Sequence, residues 1–112
     1  AIVVEINSPG GAVGASQELY EALKHVRDVL KKPVVCVSSG IVASGSYYAS
    51  LGCNQLIVAQ GSLIGSIGVI MEFANLEKLY DWAMIKRFTI TSGKFKDSGA
   101  EFREMREEEK QL

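Results

Sequence analysis

The 112-residue chain reads as an α/β fold of parallel strands joined by crossover helices, and two observations predict it. Ile2 to Ile6, Val34 to Val37 and Gln55 to Ala59 are short, mainly apolar runs without sustained alternation, the pattern of strands buried on both faces of a parallel sheet. Between them lie helical segments, giving the order strand, helix, strand, helix, strand that right-handed crossovers connect.

The first strand runs into Asn7-Ser8-Pro9-Gly10-Gly11. Pro9 removes a donor and the two glycines allow a left-handed backbone, so the loop can present bare N–H groups to an oxyanion or a phosphate. A plain tight turn explains the same residues equally well. It is not a phosphate-binding Walker loop, because no Gly-Lys-Ser/Thr follows.

From Ala15 to Lys31 the pattern is helical, with Leu19, Ala22, Leu23, Val26 and Leu30 on one stripe predicted to cover the sheet. His25, the single histidine, falls on the flank of that stripe and reads as a surface residue. Lys31-Lys32-Pro33 ends the helix and the second strand follows.

Next comes Ser38-Ser39-Gly40-Ile41-Val42-Ala43-Ser44-Gly45-Ser46-Tyr47-Tyr48, in which a strand stops at a Ser/Gly turn and a helix opens, leaving Ser44 at the bend. A serine there can aim its hydroxyl into a cleft while helix N-terminal N–H groups face the group it attacks; from this stretch alone, a cap that only satisfies backbone donors is the favoured reading, and the other motifs reverse that. Gly52 closes the short helix.

Gly61 to Ile70 is too rich in glycine for a plain strand and suggests close backbone approach, by another segment or by a bound peptide. A helix is predicted from Leu76 to Trp82 with Leu76, Leu79, Tyr80 and Ala83 on its core face, then a strand over Arg87 to Thr91, then the loop Ser92-Gly93-Lys94-Phe95-Lys96-Asp97. Arg103 to Leu112 reads as a charged helix with Glu107-Glu108-Glu109 on a solvated face. The strand without a lead-in at Ala1 and the helix stopping at Leu112 make a fragment of a longer protein the expectation.

Composition excludes several classes. Twelve Lys and Arg against 13 Asp and Glu leave a net charge of −1, so nothing recommends nucleic acid as a partner. No run approaches the roughly 18 apolar residues of a membrane span. Cys36 and Cys53 lack metal-ligand spacing, and no metal or cofactor is expected. Cys36 reads as a small buried hydrophobe, and a disulfide between the two is the less favoured reading.

A serine nucleophile needs a base within reach. A Clp-type serine protease is similar in its Asn-Ser-Pro-Gly-Gly loop and small-residue serine turn, but it carries a histidine beyond the serine; here Gly68-Val69-Ile70 fills that neighbourhood and no histidine follows Ser44. Lysine is the remaining base. At an ordinary pKa near 10.4 only about 0.04% is neutral at pH 7, so the lysine needs an apolar enclosure that lowers it to roughly 7 to 8.

Asn7-Ser8-Pro9-Gly10-Gly11, Ala43-Ser44-Gly45 with two tyrosines after it, Gly65-Ser66-Ile67-Gly68-Val69 and Ser92-Gly93-x-x-Lys96-Asp97 together resemble bacterial signal peptide peptidase A, and Arg103-Glu104-Met105 with its acidic continuation is also similar. The resemblance runs along nearly the whole chain. It implies a Clp/crotonase-like spiral of parallel strands, with residues 1–112 as a catalytic-core fragment. It implies a Ser/Lys dyad in which Ser44 is the nucleophile, Lys96 the general base, and Ser66, 22 positions after Ser44 (66 − 44), the hydroxyl that orients the lysine.

Gly10, Gly11 and Gly45 would supply oxyanion N–H groups, while Ile64, Ile67 and Val69 would meet an extended peptide. The implied substrates are signal peptides already released from secreted proteins. The implied setting is a homo-oligomeric ring, anchored in the membrane by segments outside this sequence with the catalytic domain on the extracytoplasmic side. Lys94, two residues before Lys96, departs from the pattern and shares its side of an extended segment. Two other readings stand beside this one: a noncatalytic assembly subunit of the same fold, and a crotonase-type acyl-CoA enzyme, for which no carboxylate lies near the Ser44 turn.

Overall fold

The computed structural model describes residues 1–111. They form two compact units, residues 1–69 and residues 70–111.

The first unit contains β1 (Ile2–Glu5), α1 (Val13–Asp28), β2 (Val34–Ser38), β3 (Ile41–Ala43), α2 (Gly45–Ser50), β4 (Gln55–Val58) and β5 (Leu63–Gly65). Every ladder is parallel, as the predicted α/β class requires. One sheet has the order β1-β2-β4, with Val4 opposite Cys36 and Cys36 opposite Leu56; the other pairs β3 with β5. Val34 and Cys36 on the central strand are fully buried, and with Cys53 they gather Val4, Ile6, Leu23, Val26 and Leu56 around them.

Of the three predicted strands, only β2 approaches burial on both faces. β1 lies at the edge, and Val3 is 68% exposed because one of its faces is uncovered. Cys36 and Cys53 are joined in a disulfide, Cα to Cα 6.0 Å, against the less favoured standing that pairing had in the sequence. Their separation of 17 residues gave no framework pattern; it is the β2-to-β4 crossover that folds Cys53 back onto β2.

α1 is a helix as predicted, but its buried face is turned from the predicted stripe. Ser16 is buried and Tyr20, Leu23 and Val26 are half-buried, whereas Leu19, Ala22 and Leu30 are exposed. The cause is α2, whose small residues admit α1 closely: a side chain at Gly45 would collide with the Ser16 hydroxyl, and one at Gly52 would meet the Tyr20 carbonyl and Leu23 Cβ. The Tyr20 and Tyr48 rings stack across this contact at 5.0 Å. Arg27 closes the far end by donating to the carbonyls of Leu51 and Cys53, a cation on otherwise open helix C-terminal acceptors. His25 is exposed, as expected.

In the second unit α3 spans Glu77–Trp82. Leu76 and Tyr80 are half-buried, while Leu79 and Ala83 of the predicted core face are exposed. Tyr80 donates its hydroxyl to Glu101 at 2.6 Å, and Arg87 donates to the same carboxylate oxygen at 2.6 Å. The strand predicted over Arg87 to Thr91 is not formed: the segment has no ladder partner among the described residues, and Phe88 and Ile90 stand in solvent. The predicted charged helix at the end is one 3-10 turn, Glu107–Glu109. Its acidic face is not uniformly solvated, because Glu109 is buried against Arg103 and Arg106.

Candidate active site

Three segments lie side by side in the first unit. Ser8 forms a parallel bridge with Val42 of β3, and β3 pairs on its other edge with β5, Ala43 opposite Gly65. The Asn7–Gly11 loop is bound to β3 by main-chain bonds from Ser8 N–H to the Ile41 carbonyl (2.7 Å) and from Ala43 N–H to the Ser8 carbonyl (3.2 Å). Asn7 Oδ1 accepts the Ile41 N–H at 3.1 Å. The Ser46 hydroxyl sits 2.8 Å from the carbonyls of Ser8 and Ala43 and accepts the Ala43 N–H at 2.9 Å.

Ser44 follows β3 between these neighbours. Its N–H donates to the Gly65 carbonyl at 2.8 Å, and its carbonyl accepts the Tyr48 N–H of α2. The backbone is held at φ +52°, ψ −123°, a strained conformation for a residue with a side chain and one that gathers at functional sites. Ser44 occupies the N-cap position of α2 yet makes no side-chain capping bond. The cap reading of this serine is thereby removed, and its half-buried hydroxyl is not committed to the helix.

Gly10 backs this turn. At φ +108°, a Cβ on it would lie 2.8 Å from Ser44 Cβ and 2.9 Å from both the Ala43 carbonyl oxygen and the Gly45 nitrogen. Only glycine lets the loop come so near the bend. The Gly11 nitrogen lies 3.4 Å from where a Gly45 Cβ would stand, so the backbones of Gly10, Gly11 and Gly45 meet around Ser44. The tight-turn reading of the loop does not account for this packing.

Across the bend, Ser66 follows β5 as Ser44 follows β3, and it too has a positive φ, +54°. Ser66 is exposed, as are Ile64, Ile67 and Val69. Lys96 belongs to the second unit. Its backbone N–H donates to the Gly93 carbonyl at 3.3 Å and its side chain is exposed. Lys94 is engaged differently, paired with Glu108 at 2.6 Å and lying 5.3 Å from the centroid of the Phe95 ring. Asp97 is held below the usual carboxylate range by its hydrogen bond from Arg103 and by the charges of Arg103 and Arg106. Among the described residues no group of three or more His, Cys, Asp or Glu is placed to hold a metal ion.

Three positioning side chains went unnoticed in the sequence. Asn7 and Ser46 lie inside stretches already singled out, and Ser16 carries no local signal because its role is contact with Gly45.

The family model of peptidase family S49 matches residues 27–112. The chain belongs to that family. A Synechocystis sp. protein is 39% identical to this S49 chain over 112 residues, all of the chain and 40% of the relative. The serine protease SPPA, chloroplastic, of Arabidopsis thaliana is 35% identical over 113 aligned positions, again the whole chain and 16% of that protein. Protease 4 of Salmonella typhi is 42% identical over 69 residues, 62% of the chain and 11% of the relative. The resemblance to signal peptide peptidase A read from the motifs thus agrees with the comparisons, and the S49 chain spans well under half the length of these relatives.

Proposed function

We propose that the chain is the core of a serine endopeptidase that cleaves peptides through an acyl-enzyme, with Ser44 as nucleophile and Lys96 as general base. The observation that carries this reading is the Ser44 turn: a strained serine at a helix start, its hydroxyl free of capping duty, with the Gly10 backbone packed against it. Lys96 takes the hydroxyl proton, Ser44 attacks the scissile carbonyl, and the N–H groups of Gly10, Gly11 and Gly45 stabilise the oxyanion. Loss of one such donor typically costs about 10²- to 10³-fold in rate. Lys96 then returns the proton to the leaving amine, and water repeats the sequence on the ester.

The base function requires Lys96 to be enclosed against Ser44 and Ser66, where burial favours the neutral amine. A contact within one chain or between copies in a ring would provide the dry surroundings. Substrate lies extended along Gly61 to Gly68, adding a strand to β5 with Ile64, Ile67 and Val69 beneath its apolar side chains. Released signal peptides fit that surface, and membrane anchoring on the extracytoplasmic side would bring the domain to them.

The test is peptide hydrolysis and fluorophosphonate labelling of the full-length protein, native and with Ser44→Ala, Lys96→Ala or Lys94→Ala. Ser44→Ala and Lys96→Ala are expected to abolish both, while Lys94→Ala remains active. Undiminished turnover in Lys96→Ala refutes the base assignment, and undiminished turnover in Ser44→Ala refutes the mechanism.

A further inference from the structure

Arg103 is the most fully engaged side chain of the second unit. Nε donates to Asp97 Oδ2 at 3.0 Å and Nη2 to the Asp97 carbonyl at 3.1 Å. Nη2 also donates to Glu109 Oε1 at 2.6 Å, and Nη1 to Glu109 Oε2 at 2.9 Å and to the Glu104 carbonyl at 2.8 Å. A guanidinium has five N–H donors in a rigid fork, and here five acceptors surround it. The Glu109 side chain is fully buried, its oxygens further bonded by the Arg106 N–H (2.6 Å) and the Ser98 hydroxyl (3.2 Å). Arg106 adds a contact to Asp97 Oδ1 at 3.0 Å. Two cations and two carboxylates make the cluster neutral, the condition under which such groups tolerate burial.

The object being held is Asp97, by its carboxylate and by its main-chain carbonyl. Its neighbours are fixed as well: Ser98 N–H donates to Phe95 O at 3.2 Å and Lys96 N–H to Gly93 O. The backbone on both sides of Lys96 is thereby pinned while the Lys96 side chain stays exposed.

We infer that Arg103, clamped by Glu109, is a positioning residue for the reaction: it fixes where the stem of Lys96 leaves the chain and hence where its amine can meet Ser44. This rests on the assignment of Lys96 as base. Misplacing a reacting group by about 1 Å can cost on the order of 10²-fold.

The experiment measures kcat and KM for a fluorogenic peptide with the full-length protein, alongside thermal midpoints. Arg103→Met is expected to lower kcat about 10- to 100-fold with KM within about threefold. Asp97→Asn, which keeps the side-chain volume, is expected to lower kcat in the same direction by a smaller factor, and it decides the matter should Arg103→Met fail to fold. Unchanged kcat in a folded variant, or a change confined to KM, overturns the positioning role. Lys96→Ala activity equal to native overturns instead the base assignment on which it stands.

Discussion

Replacing Gly10 by alanine is the sharpest perturbation the Ser44 turn offers. The new methyl would sit 2.8 to 2.9 Å from Ser44 Cβ, the Ala43 carbonyl oxygen and the Gly45 nitrogen. Two of those three atoms are backbone and cannot swing aside. A φ of +108° adds about 1–3 kcal/mol of strain for a residue with a side chain, and overpacking at a closed contact adds typically about 1–3 kcal/mol. The loop relieves this by withdrawing from the bend, which carries the Gly10 and Gly11 N–H groups away from the proposed oxyanion position. Fluorophosphonate labelling of Ser44 is then expected to slow by about 10²-fold or more.

Gly11 is the control. A Cβ there meets nothing within 4 Å, its φ is not positive, and alanine keeps the N–H. Gly11→Ala is expected to label within a few-fold of native and to match or slightly exceed native stability, since alanine restricts the unfolded chain. Labelling of Gly10→Ala within threefold of native, or losses of equal size in the two variants, refutes the close-approach reasoning.

Ser46→Ala removes the hydroxyl that ties Ser8 to Ala43 and is expected to lower unfolding free energy by about 1–3 kcal/mol in denaturant titration; a change below about 0.5 kcal/mol would show the tie to be idle. Replacing Cys36 and Cys53 together by serine opens a closure of 17 residues, for which chain entropy gives about 3 kcal/mol. Reductant should destabilise the native protein similarly and leave the double variant unmoved. Glu109 is held down to about 2, chiefly by its hydrogen bonds from Arg103. A lowered carboxylate stabilises the fold above its unfolded value, near 4.3, and loses that contribution as pH falls from there toward about 2. The urea midpoint of the native protein should therefore fall more steeply than that of Glu109→Gln across this window, and parallel curves would contradict the pairing.

The residue pattern made much of this legible. Short apolar runs separated by helical periodicity specify parallel strands because a strand buried on two faces needs no alternation, and the run at Val34 obeys that directly. The serine turn was legible because glycine and serine have few other reasons to cluster between a strand and a helix. Legibility failed where a partner distant in the chain decides the outcome. Arg87 to Thr91 has strand-forming residues but, among the described residues, no neighbour to complete a ladder. Leu19 and Leu30 lie on a plausible stripe, yet Gly45 and Gly52 draw α1 in along Ser16, Tyr20 and Leu23 instead. Glu109 looks like one more solvated acid until Arg103 encloses it.

Order and chemical inventory thus come from the chain: parallel α/β succession, a serine at a strand-to-helix turn with glycines beside it, and the lysine proposed as its base. Contact across the fold decided the rest. It bonded Cys36 to Cys53, turned α1, pressed Gly10 against Ser44 and closed five acceptors around Arg103. Periodicity records only that a residue has a buried side; what fills that side depends on which distant segment the crossovers return to it.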